Sequence, residues 1–244
     1  MIEHIKTLKS TRLFTNKPVD NQTKRLILEE ATLAPTAGNM MMYAMLDVVD
    51  QDLKDKLSVS CDNQPFINTA PMVVVFCSDN HRFNEGAQHF YQANLRDPGP
   101  GDFLLAVSDT LIVAHHAVMI AHTLGLGSCY IGDVLENYEY HQELLNLPPH
   151  VMPVCMVVFG YPTDTQKART KPGRFDLDFV LHQNTYQSKA MPLHQDIILK
   201  RNQAMQLAHI DASAYYKDYV NRKYNSDFMA EMNRSVAAMM KQFL

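Results

Sequence analysis

Two uninterrupted apolar runs constrain this chain more than any other feature. Residues 72–77 read MVVVFC and residues 151–159 read VMPVCMVVF. Neither alternates with polar residues, so neither reads as a strand with one face in water. Such β-branched runs belong to strands buried on both faces, in a sheet covered by helices. Residues 43–49 (YAMLDVV) read as another strand. Pro153 has no N–H to give to a sheet ladder, so it is expected to fix the start of the last strand.

The covering helices are also legible. Residues 20–34 predict one: Asp20 caps it, Leu26, Ile27, Ala31 and Ala34 fall at helical spacing, and Pro35 stops it. Residues 104–124 give the clearest helix. Leu104, Val107, Leu111, Ala114, Val118 and Ala121 form one ladder, with Leu105, Ile112 and Met119 beside it. A helix apolar nearly all round is buried, in the core or at a subunit interface. Asp109, His115, His116 and His122 interrupt it, which argues against a lipid-facing segment.

From about residue 187 the chain is rich in Met and Tyr. Met229, Met232, Val236, Met239 and Phe243 make a helical stripe. No strand-like run precedes these helices. The expected organisation is a core over 1–186 and a helical extension over 187–244, packing on the core or on a partner subunit.

Composition then narrows the function. With 244 residues, 46% hydrophobic and 20% charged, the chain can bury a full core. A net charge of −4 argues against a nucleic-acid partner, so any anion site must be local. The N-terminus lacks a signal-peptide apolar region, and no run approaches the ~18 apolar residues of a membrane span. A cytoplasmic protein without a membrane partner is expected. Cys61, Cys77, Cys129 and Cys155 are far apart and form no C-x-x-C pair, so they read as reduced, mostly buried thiols.

Four segments carry chemistry. Lys9-Ser10-Thr11-Arg12 offers two cations and two hydroxyls, a set suited to a phosphate monoester. Ala34-Pro35-Thr36-Ala37-Gly38-Asn39 ends a helix in small residues that let a planar ligand approach the backbone. Taken alone, the first reads equally as a solvated basic turn and the second as an ordinary loop. In Gly125-Leu126-Gly127-Ser128-Cys129-Tyr130-Ile131-Gly132 the glycine spacing and the helix-then-strand order exclude a dinucleotide fingerprint. There Gly125 ends the helix. Lys171-Pro172-Gly173-Arg174 adds two cations after a strand.

In this order and spacing the segments resemble the nitroreductase family, most closely its oxygen-insensitive NADPH nitroreductase and flavin reductase branch. The resemblance also rests on Gln64-Pro65-Phe66-Ile67, on Phe76-Cys77-Ser78-Asp79-Asn80-His81-Arg82, on Leu144-Leu145-Asn146-Leu147-Pro148, on Gly160-Tyr161-Pro162, and on His182-Gln183-Asn184-Thr185-Tyr186. It spans about residues 5–187.

The resemblance implies an α+β fold in three layers, α/β/α, with a mixed, mostly antiparallel central sheet. It implies a homodimer holding FMN at the subunit interface. It also implies ping-pong hydride transfer from NADPH or NADH to a small acceptor such as a nitroaromatic, a quinone or a flavin. Lys9, Ser10, Thr11 and Arg12 would meet the phosphate, ribityl and ring edge, with Arg12 as electrostatic support. Thr36, Ala37 and Asn39 would approach the flavin, Gln64 would hydrogen-bond it, and Tyr130, Ile131 and Gly132 would offer backbone groups. Lys171 and Arg174 would clamp the phosphate. No protein nucleophile or general base is implied.

Departures from the family pattern are Leu8, Met40-Met41-Met42, Asp133 in place of a second glycine, and the inserted Gly173. They bear on substrate more than on cofactor. The methionine run alternatively lines an apolar pocket. His115 and His122 lack a third ligand at metal spacing, so no metal is expected. Arg222 and Lys223 suit either a 2'-phosphate or solvent. The alternative functions are flavin fragmentation or dehalogenation on the same fold, a non-catalytic regulatory role, and a scaffold that has lost its flavin.

Overall fold

The computed structural model describes residues 2–91, 95–207 and 211–244. They form two compact units, 1–169 with 231–244, and 170–230. In the larger unit the helices are α1 (Ile2–Lys6), α2 (Asn21–Ala31), α3 (Gln51–Ser60), α4 (Pro65–Asn68), α5 (His81–Tyr91), α6 (Pro100–Thr123), α7 (Tyr138–Leu144) and α8 (Asp164–Ala168). The strands are β1 (Tyr43–Asp47), β2 (Met72–Asp79), β3 (Gly127–Ile131) and β4 (Val151–Gly160). The smaller unit holds α9 (Leu177–Val180), α10 (Met191–Ala204) and α11 (Ala212–Tyr219). The last helix, α12 (Asp227–Met240), belongs to the larger unit from Glu231 onward.

The sheet order is β1-β2-β4-β3, and every pairing is antiparallel. The parallel component is a single bridge between Ser10 and Ser128. Both central strands are buried along their whole length. Met72, Val74 and Phe76 pack with α2 and α6, whereas Val73, Val75 and Cys77 pack with α3 and α4. Period-2 alternation thus feeds two cores, the three-layer arrangement expected for unbroken β-branched runs.

Pro153 does not begin β4; it is the third residue of the strand. Phe76 pairs with Cys155 and Cys77 with Pro153, so Val154 is an extra residue and makes a bulge. Proline is tolerated at a bulge because ladder bonds lapse there. The bulge also switches the face. Val151 points to the α3/α4 side before it, and Met156 and Val158 do so after it.

Two further corrections concern the helices. The helix expected over 20–34 stops at Ala31, and Leu26 lies on its exposed side. In α6 the buried stripe is Phe103, Ala106, Asp109, Thr110, Val113, Ala114, Ala117, Val118 and Ala121. Leu104, Leu105, Leu111 and Ile112 face outward. The long apolar ladder drifts around a 3.6-residue helix, so its N-terminal half leaves the core. This is the one described helix long and apolar enough to cross a membrane, and its inner face packs on the sheet.

Local chemistry sets the element ends. The Asp20 carboxylate accepts from Thr23 N at 2.8 Å and caps α2. Gly125 takes φ +81° after α6, with Gly125 N donating to His122 O and Leu126 N to Ala121 O. That is a Schellman stop, with Leu126 buried behind it. At the C-terminus Met239 and Phe243 pack with Phe103, Tyr138 and Met152. In the smaller unit the Arg201 guanidinium lies over Phe175 and Tyr215, 5.5 and 5.3 Å from their ring centroids.

Candidate functional site

The N-terminal segment runs along the free edge of β3. Thr11 N donates to Ser128 O at 2.8 Å, and farther along Thr15 N donates to Tyr161 O. The approach is close because position 127 is glycine. A Cβ there would lie 2.3 Å from Thr11 Oγ1. Gln166, buried on α8, holds the same backbone from the other side. Its Nε2 donates to Ser10 O at 3.1 Å, and its Oε1 accepts from Arg12 N at 3.3 Å. Ser10, Thr11 and Arg12 are therefore fixed by backbone pairing, with their side chains not needed for it.

Arg12 extends from this edge over the Phe66 ring, 5.8 Å from its centroid. Its positive charge opposes the upward push that burial gives the Cys129 thiol. Among the described residues no carboxylate pairs with Arg12. Lys9 is differently placed. Its ammonium donates to Lys167 O at 2.7 Å and Arg169 O at 2.6 Å, at the end of α8. Two of its three N–H groups are thus engaged there.

β3 delivers the next residues. Backbone groups alternate sides along a strand. Ser128 faces the N-terminal segment, so Tyr130 also turns its N–H and C=O to the free edge, and Ile131 turns to β4. The Ile131 side chain is buried on the α3/α4 face. The Tyr130 hydroxyl lies 3.5 Å from His115 Nδ1. Gly132 has ordinary φ, and a Cβ built on it would meet nothing within 4 Å. Neither strain nor crowding among the described residues requires glycine there, whereas a ligand lying against the backbone would. Gln64 stands nearby, its Nε2 donating to Asp133 Oδ2 at 3.1 Å and Cys61 O at 2.9 Å.

Thr36, Ala37 and Asn39 lie on a second locus. Gly38, Asn39 and Met41 all have φ between +51° and +57°. This tight loop is tied to α6 by Asp109, which is 2% exposed. One carboxylate oxygen accepts from Ala37 N at 2.8 Å and the other from Met42 N at 3.4 Å. Arg82 grips the same loop by donating to Met41 O, and its own backbone N–H is capped by Asp79 at 2.9 Å. Met40 and Met42, though not Met41, line a cavity of about 250 Å³ with Asn80, Phe83, Arg96 and Asp102, so the pocket beside the methionine run is partly polar and charged where an apolar one was expected.

Lys171 and Arg174 belong to the smaller unit, where Arg174 Nη1 donates to Pro172 O at 3.4 Å. Two histidines of α6 make hydrogen bonds: His122 Nε2 with Thr7 Oγ1 at 3.1 Å, and His115 with Tyr130. All four cysteines are free and buried, and burial pushes the Cys61 and Cys155 thiols up to about 12. One acidic group, Asp62, Asp133 and Glu136, gathers with ligand atoms within 4.8 Å of one another.

Sequence reasoning missed Asp109, Gln166, Phe66 as the seat of Arg12, and the Gln64–Asp133 pair. An acidic residue on the inner face of an otherwise apolar helix was the available signal for Asp109. A lone Gln on a five-residue helix gave none.

The chain belongs to the nitroreductase family, which residues 5–161 match. Among relatives, it is 30% identical to FMN reductase [NAD(P)H] of Bacillus subtilis, over 98% of this chain and 91% of that one. It is 30% identical to oxygen-insensitive NADPH nitroreductase of Salmonella typhimurium, over 81% and 77% of the two chains. The solved structure of Bacillus megaterium NfrA1 superposes with a TM-score of 0.83 at 27% identity, covering 98% of this chain and 97% of that one.

Proposed function

We propose that this chain is an FMN-dependent oxidoreductase. It takes reducing equivalents from NADPH or NADH and delivers them to a small acceptor (a nitroaromatic, a quinone or a flavin) in ping-pong fashion. Bound FMN supplies the hydride-accepting and hydride-donating centre. The observation that carries the reading is Arg12, a cation without a carboxylate partner among the described residues, held over Phe66 beside the open end of β3.

The residues on this edge fit a flavin. Arg12 offers a fixed positive charge to the electron-rich ring edge. Ser10 brings its hydroxyl to the ribityl phosphate, with the remaining N–H of Lys9 beside it, whereas Thr11, buried and packed on Gly127, contributes through its main chain alone. Tyr130 and Gly132 present backbone, Ile131 anchors the strand end in the core, and Gln64 meets a polar edge of the ligand. Thr36, Ala37 and Asn39 approach the ring of a flavin, their loop held in shape by Asp109. Lys171 and Arg174 are assigned to the phosphate by motif alone. Catalysis rests on positioning and charge, without a protein nucleophile.

A cytoplasmic homodimer accompanies this reading. Leu104, Leu105, Leu111 and Ile112 leave α6 with an exposed apolar face, and Leu111, Ile112, His115, His116 and Met119 line a hollow of about 480 Å³ on it. A contiguous apolar surface of this kind marks an interface.

Anaerobic titration tests the proposal. The purified protein is expected to show a flavin spectrum, to bleach with one equivalent of NADPH or NADH, and to recover on addition of a quinone. A flavin that neither nicotinamide reduces would remove the enzyme reading. Protein that FMN cannot reconstitute would remove the site.

A further inference from the structure

Gln64 has no freedom in which way its carboxamide points. Its nitrogen lies 2.9 Å from Cys61 O and 3.1 Å from Asp133 Oδ2. Both of those atoms are acceptors only. Turning the amide over would set Oε1 against a carbonyl and a carboxylate at hydrogen-bond distance, an arrangement without a donor. The orientation therefore follows from the partners themselves. Both amide N–H groups are consumed, and Oε1 makes no hydrogen bond among the described residues.

Asp133 is the residue that closes this choice. It stands one position after Gly132, at the start of a short 3-10 turn, Asp133–Leu135, that leads away from β3. With glycine at 133 the amide would keep a single tether, to Cys61 O, about which it could rotate and present its second N–H to a ligand in place of Oε1. Asp133 takes that N–H out of the site and leaves the oxygen.

We propose that Asp133 is a positioning residue that makes Gln64 a pure hydrogen-bond acceptor toward the bound flavin. The inference rests on the reading that Gln64 faces the flavin, and it deepens that reading by fixing the polarity of the contact. An acceptor at this place selects a ligand group that carries hydrogen: the ring N3–H or a ribityl hydroxyl. It disfavours the ring carbonyls, which need a donor. Asp133 acts through Gln64 and does not itself touch the ligand.

The test compares dissociation constants for three flavins: FMN, N3-methyl-FMN, and an FMN analogue whose ribityl hydroxyls are replaced by hydrogen. Each is titrated by fluorescence quenching into the deflavinated full chain and its variants. One of the two analogues is expected to bind the unaltered protein about fivefold more weakly than FMN, the worth of one hydrogen bond. Which analogue is penalised identifies the donor. The penalty is expected to vanish in Gln64→Met and in Asp133→Gly. It is expected to persist in Asp133→Asn, whose amide oxygen still accepts from Nε2. Asp133→Ala serves the same comparison if Asp133→Gly does not fold.

Because the readout is a ratio within each variant, a general loss of stability does not move it. A penalty that survives in Asp133→Gly and Asp133→Ala but disappears in Gln64→Met would overturn the role of Asp133 and leave the flavin site standing. Normal FMN binding with no penalty for either analogue would also overturn it. Failure of the unaltered chain to bind FMN would instead defeat the flavin reading beneath it.

Discussion

The edge of β3 and the loop that carries Thr36 to Met42 are held in opposite ways. Ser10, Thr11 and Arg12 are placed by backbone pairing to Ser128 and by Gln166, which grips their main chain. Before Met42, whose C=O accepts from Asp79 N of β2 at 3.0 Å, the loop has no strand partner among the described residues and passes through left-handed conformations at Gly38, Asn39 and Met41. Its shape depends on charged side chains reaching in from α6 and α5. The first locus is part of the sheet and tolerates loss of single side chains. The second rests on two charged side chains, buried Asp109 and Arg82.

The comparison is sharpest at Asp109. Asp109→Ala leaves the N–H groups of Ala37 and Met42 without their acceptor, and hydrogen bonds to a charged group are the strong ones. A loss of about 3 kcal/mol in urea unfolding is expected. Asp109→Asn keeps one acceptor oxygen and should lose about half as much. A loss under about 1 kcal/mol in Asp109→Ala would mean the loop is held by something else.

Gly127 tests the other locus. A side chain there collides with Thr11, so Gly127→Val must push the N-terminal segment off β3. Overpacking of this kind costs about 2 kcal/mol. FMN retention should fall with it, because Ser10 and Arg12 move too. Thr11→Ala, which keeps the Thr11 N–H on Ser128 O, should cost less than half as much stability and leave FMN retention unchanged. Equal effects from both would contradict placement by backbone.

The smallest effect comes from pH. His141 is fully buried between Ser60 Oγ at 2.8 Å and Val134 O at 3.1 Å, and it braces the turn that follows β3. Burial holds its imidazole below the ordinary 6.5. As pH falls through that value the unfolded chain takes up a proton and the native chain does not. Stability present above about pH 6.5 is therefore lost below it, at up to about 1.4 kcal/mol per pH unit until the native imidazole also titrates. His141→Gln should flatten this slope in pH-dependent thermal melts. An unchanged slope would assign the acid sensitivity to other groups.

How much of this was legible in the sequence follows the same division. Local and periodic features were readable: the Asp20 cap, the strands, the Gly125 stop and the two-sided burial of β2 and β4. Each depends on neighbours within a few residues or on a repeat. The position of Pro153 was not, because a bulge is a property of the pairing between strands. Which face of α6 is buried was not, because an all-apolar helix has no contrast to read. The site residues came from motif order, yet their anchors did not. Asp109 acts on residues 67 and 72 positions away, Gln166 on residues 154 and 156 positions away, and Asp133 on Gln64 at 69. Such long-range pairs leave no spacing signal in a single chain.

Arg12 gives the most direct test of the account, since it belongs to the locus that needs no side chain for its own placement. FMN affinity is measured for the unaltered chain and for Arg12→Ala. The account predicts binding about tenfold weaker, the worth of one charge-assisted hydrogen bond, with the thermal midpoint of the flavin-free protein unmoved. An unchanged dissociation constant in a well-folded Arg12→Ala protein would contradict it, and the edge of β3 would no longer be where the flavin is held.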